Sequence, residues 1–132
     1  MQMPKFVEKD VVIAIHEYLI NEFGGKSGIL DEGLLESALA QPQQTFFGEL
    51  LHPTIATQAS AYLYHLAKNH AFEDGNKRTA LGVTETFIRL NGYNLDLSNE
   101  ELFELTVKVA KGELEKVEIA KVLGAKLVRV SS

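Results

Sequence analysis

Apolar residues recur at helical spacing along most of the chain, separated by short polar stretches. In EKDVVIAIHEYLINE, residues 8 to 22, Val11, Ile15, Tyr18 and Leu19 fall on one stripe, and the glycines of FGGKSG end the pattern. This predicts a first helix. Asp31 stands as a cap before Leu34, Leu35, Ala38 and Leu39, a second and shorter helix that Gln41-Pro42 closes. QQTFFGELLH, residues 43 to 52, has no clean period and reads as a surface loop or a short hairpin.

Pro53 is placed to open a third helix, with Ile55, Ala59, Tyr62, Leu63 and Leu66 inward and His70 at the polar end of the stripe. In NKRTALGVTETFIRLNG, Ala80, Val83, Phe87 and Leu90 lie on one side and Leu81 and Ile88 on another, which predicts a central helix ended by Asn91-Gly92. Ser98 with Glu101 forms a capping box before a helix whose core face is Leu102, Leu105 and Val109. The last segment reads as helical to about Gly124. With no repeat and no sustained strand-type alternation, the expected fold class is all-α, a compact helical bundle in one domain over 1–132.

Charge and cysteine content narrow the functions. Eighteen acidic against 13 basic side chains give a net charge of -5, which does not suit a general binder of nucleic-acid backbones. The absence of cysteine excludes disulfides and thiolate metal ligands. MQMPKFVEKD lacks the apolar run of a signal peptide and no stretch approaches a membrane span, so a cytoplasmic protein with no membrane partner is expected.

The candidate chemistry sits between the two central helices, in HAFEDGNKRTA, residues 70 to 80. A helix N-terminus presents free N–H groups and a partial positive charge, so it can hold a phosphate oxygen. Gly75 lets the chain turn and a ligand approach, Asn76 caps, and Lys77 and Arg78 add positive charge where the helix dipole disfavours it. A bound polyphosphate would account for that placement. Asp74 suits a magnesium ion bridging phosphate oxygens, and His70 suits a general base for a hydroxyl. In the plain alternative, His70 is a solvated helix end, Asp74-Gly75 is a turn, and the basic pair is an exposed face paired with Glu73 and Asp74. His16, His52, His65 and His70 have no spacing suited to a zinc helix.

HAFEDGNKR closely resembles the signature of the Fic/Doc superfamily, and FGGKSGILDEGLLESALAQPQQTFFG is similar to the N-terminal half of its Doc-type, death-on-curing toxins. The resemblance implies a Fic-type helical bundle with a flap beside the active site. It also implies His70 as catalytic base, Phe72 as apolar anchor of the loop, and Asp74 as the magnesium ligand. Gly75, Asn76, Lys77 and Arg78 would hold phosphate, with Lys68 as a lesser candidate. Lys77 replaces the second glycine of the commoner Fic motif and Leu81 its second arginine; this is the Doc pattern. It implies a kinase that transfers the γ-phosphate of ATP, with Mg2+, to a threonine of elongation factor Tu, so that translation stalls. AMP transfer and a non-catalytic antitoxin-binding module are the alternatives.

Ala71 stands where Fic members usually have proline, and Gly75 where Doc has alanine; neither change should matter much. Target docking is expected at the flap, through Gln44, Thr45 and Phe46. Only Glu49 has a Thr or Ser four positions earlier, and Leu50 follows it, so no inhibitory helix of the Fic kind is visible. The resemblance implies instead a separate, Phd-like antitoxin whose C-terminal segment folds as a helix onto an apolar groove.

Overall fold

The computed structural model describes residues 3–130. Six helices form the body: α1 (Lys9–Phe23), α2 (Glu32–Ala40), α3 (Ile55–Lys68), α4 (Asn76–Leu90), α5 (Asn99–Ala110) and α6 (Lys116–Lys126). Two short antiparallel ribbons accompany them, β1 (Thr45–Phe46) with β2 (Glu49–Leu50), and β3 (Tyr93–Leu95) with β4 (Leu127–Arg129). Among the described residues, no helix is long and apolar enough to cross a membrane.

The helices begin where side chains satisfy their first N–H groups. Asp31 accepts from the Leu34 N–H, and Thr54 with Thr57 and Ser98 with Glu101 form reciprocal capping boxes. Pro53 therefore lies just outside α3, and Thr54 does the capping. α3 and α4 are the central pair, burying Tyr62, Leu63, Leu66, Val83 and Phe87 between the outer helices. The Tyr62 hydroxyl accepts the Val7 N–H at 2.9 Å and fixes the extended N-terminal segment against the core. Burial pushes that hydroxyl's pKa up to about 12.

Two local expectations need correction. On α1 the buried row is Val12, His16 and Ile20, while Val11 and Tyr18 are exposed. Ile15 and Leu19 do reach α4, at Gly82, where the missing side chain allows close approach. A histidine at the centre of the inward row hid the true face. The last helix runs two residues past Gly124, to Lys126, and the chain beyond it forms a strand: β4 pairs Leu127 with Leu95, and Arg129 with Tyr93.

Residues 43 to 52 do form a hairpin. Phe47 and Gly48 both have positive φ at its two-residue turn, the geometry that matches the twist of paired strands.

Candidate active site

The segment between α3 and α4 is held in place almost atom by atom. Asn69 ends α3 and His70 follows with φ 50, in the left-handed region usually left to glycine. The other described non-glycine residue with positive φ is Phe47 at the hairpin tip. His70 is exposed, whereas Ala71 and Phe72 are buried. The chain then turns at Gly75, whose φ of 74 places Asn76 at the start of α4.

Four of the restraining hydrogen bonds come from residues 24 to 31, the stretch in which the periodicity of α1 stops. Ala71 O accepts from the N–H groups of Leu30 and Asp31, and Glu73 N–H donates to Gly28 O. Lys26 N–H donates to one Asp74 carboxylate oxygen at 3.2 Å and Gly75 N–H to the other at 2.9 Å. Gly25 is needed for this approach, since a Cβ there would lie 2.7 Å from the Asp74 carboxylate.

Two further side chains close the cage. Asn76 accepts the Phe72 N–H through Oδ1 and donates to Phe72 O through Nδ2, both at 3.0 Å. Its amide therefore holds the loop. His16 donates from Nε2 to Asp74 O at 2.8 Å, and its ring stacks on Phe72 with centroids 3.9 Å apart. A carbonyl only accepts, so that nitrogen carries the proton. Sequence reasoning missed His16, Gly25 and Lys26; the remaining signal for His16 was a polar residue inside an apolar helix row.

A cavity of about 370 Å³ opens over this loop, lined by His70, Glu73, Asp74, Gly75, Asn76, Lys77, Arg78 and, from α5, Phe103. Asn76, Lys77 and Arg78 have main-chain N–H groups without a protein acceptor among the described residues. Neither Lys77 nor Arg78 pairs with Glu73 or Asp74: the ion pairs among the described residues join Lys9 to Glu32 and Glu36, and Arg89 to Glu85. The Arg78 guanidinium instead lies 4.5 Å from the Phe23 ring centre. The arrangement is cationic at the head of α4, with one restrained carboxylate and one exposed imidazole beside it.

The other expected residues do not line this cavity. Lys68 does not line the cavity; its ammonium sits 5.1 Å from the Tyr64 ring centre, towards Gly112. Gln44, Thr45 and Phe46 are exposed on the hairpin and do not line it either. Gln44 is spent within its own turn, donating to Gln41 O and accepting from Leu51 N–H.

The Fic/DOC family model matches residues 6–88. The chain is 40% identical over 100 residues to "Toxin Doc" of Mycolicibacterium smegmatis, covering 74% of this chain and 77% of that protein. It is 33% identical over 119 residues to "Protein kinase doc" of Escherichia phage P1, covering 90% of this chain and 93% of that protein.

Proposed function

The chain belongs to the Fic/DOC family, and on that footing we propose that it is a Doc-type toxin kinase, transferring the γ-phosphate of ATP to a threonine of elongation factor Tu in the cytoplasm. The observation that carries this reading is one cavity lined by an exposed imidazole, a restrained carboxylate, and a lysine and a helix start whose ammonium and N–H groups have no partner among the described residues. Phosphoryl transfer asks for little else, because positioning and charge neutralisation supply most of its catalysis.

In this mechanism His70 takes the proton from the threonine hydroxyl as its oxygen bonds to the γ-phosphorus. The bond from that phosphorus to the bridging oxygen breaks, and ADP leaves with the electron pair. Lys77, Arg78 and the N–H groups of Asn76 to Arg78 balance charge on the phosphate oxygens. Lys77 fills space that a glycine would leave for the α- and β-phosphates, which favours presenting the γ-phosphate to the acceptor.

Asp74 fits a magnesium ion. Its carboxylate is exposed and oriented by two main-chain donors, and that metal commonly takes one or two carboxylates together with substrate phosphate. Among the described residues no cluster of three or more His, Asp or Glu could hold a metal by itself, so phosphate oxygens would share the binding. When bound, the ion would neutralise phosphate charge. Main-chain pairing with the protein substrate falls to the hairpin at Thr45 and Phe46.

A Phd-like antitoxin is the proposed restraining partner; growth arrest on expression, relieved by co-expressing such a partner, tests that part. For the reaction itself, elongation factor Tu incubated with the chain and magnesium-ATP should gain the mass of one phosphate. A gain of one AMP, or no gain, would refute the kinase assignment.

A further inference from the structure

Asp74 and Arg78 stand four positions apart, the spacing at which an acid and a base on a helix commonly pair. Here they are kept apart. The Asp74 carboxylate accepts from the N–H groups of Lys26 and Gly75, and Arg78 lies against Phe23, its guanidinium carbon 4.5 Å from the ring centre. Neither side chain makes an ion pair among the described residues. The negative and the positive group that line the cavity thus do not neutralise each other.

Both restraints come from one short stretch, residues 23 to 26. Phe23 is the last residue of α1, Gly25 admits the Asp74 carboxylate, and the Lys26 N–H binds it. Phe23 is 61% exposed, so core packing does not account for an aromatic ring at this place. Tyr18, on the same helix, is as exposed at 62%, and among the described residues no cation lies over its ring.

A ring does for an arginine what an acid would not. A carboxylate would take two of the guanidinium's donors side by side and neutralise its charge. A ring attracts the cation through its π face and leaves charge and donors for a phosphate. It also restricts beforehand a long side chain that otherwise loses much rotamer freedom when a ligand fixes it.

We propose that Phe23 is a positioning residue for phosphate binding, its ring holding Arg78 at the head of α4 in readiness for the phosphate chain of the nucleotide. This rests on the reading that a polyphosphate occupies the cavity over His70. Phe23 does not line that cavity and acts only through Arg78.

The test titrates inorganic tripolyphosphate into the full chain by calorimetry, a probe that needs neither a protein substrate nor a nucleobase. Wild type should bind it saturably. Phe23→Leu, which keeps the apolar bulk and removes the π face, should bind about two- to fivefold more weakly, the range expected for an exposed cation–π contact. Phe23→Tyr should restore wild-type binding, and Tyr18→Leu should leave it unchanged. In an Arg78→Gln background, Phe23→Leu should weaken binding no further. Wild-type or tighter binding by Phe23→Leu, an equal loss with and without Arg78, a Phe23→Tyr variant as weak as Phe23→Leu, or no saturable binding by wild type would each overturn the proposal. Saturable binding with this pattern but no transfer to elongation factor Tu would refute the kinase assignment alone.

Discussion

His16, buried on α1, donates from Nε2 to the main-chain oxygen of Asp74, 58 residues further along, at 2.8 Å. The same imidazole stacks on Phe72 at an interplanar angle of 12°. One side chain thus fixes both the buried anchor of the loop and the backbone that carries its carboxylate. His16→Phe keeps an aromatic ring and removes the donor. It should cost about 1 kcal/mol of stability, as expected for the loss of a part-buried hydrogen bond, and raise the magnesium concentration needed for half-maximal transfer. Magnesium titrations of both proteins check this; an unchanged midpoint would detach His16 from the position of Asp74.

Gly25 offers a sharper test of the carboxylate. An alanine Cβ would lie 2.7 Å from Asp74 Oδ2, so Gly25→Ala must displace it. Gly24 also has positive φ but faces open space, and Gly24→Ala carries backbone strain without the clash. Both variants should melt below wild type. Only Gly25→Ala should shift the magnesium dependence of transfer, and a matching shift in Gly24→Ala would make the effect one of general loosening.

The conformation of His70 implies a conflict between stability and activity. A left-handed backbone costs a non-glycine residue about 1–2 kcal/mol, which glycine escapes. His70→Gly should therefore melt above His70→Ala, with both inactive in transfer. Thermal scans of the two variants decide it: equal melting temperatures would mean that the strain is relieved elsewhere.

Acid stability should depend on a cluster away from the site. Lys116 Nζ lies 3.0 Å from His65 Nε2 and 3.4 Å from His52 Nε2. Burial first, then the charges of Lys116 and His52, lower the His65 pKa from 6.5 to about 4; burial and Lys116 also lower that of His52. A base whose pKa falls on folding is protonated more readily in the unfolded chain. The stability is therefore complete above pH 6.5 and is lost as pH falls towards about 4. Between about pH 7 and pH 5, wild type should lose more of its urea midpoint than His65→Gln; parallel losses would place the acid sensitivity in other groups.

What could be read from the chain before its structure was local. The inward rows of α3 and α4 and the caps at Asp31 and Ser98 depend on residues within a few positions of one another. The compact order of His70, Asp74, Lys77 and Arg78 was equally visible, because one short segment carries it. The contacts that hold this segment were not visible. Lys26 meets Asp74 48 residues away, and His16 meets it across two helices, with no periodic signal for either. Nor was it visible that the Asn76 amide is matched to the two main-chain groups of Phe72. β3 and β4 escaped notice because three residues are too few to show alternation, and their partners lie more than thirty positions apart.

The central claim is tested most directly by incubating elongation factor Tu with the chain, magnesium and ATP labelled either on the γ- or on the α-phosphate, with His70→Ala in parallel. The account predicts that label reaches the factor from the γ position alone, and that the variant transfers none. Label arriving from the α position, or γ-label that persists without His70, would contradict it.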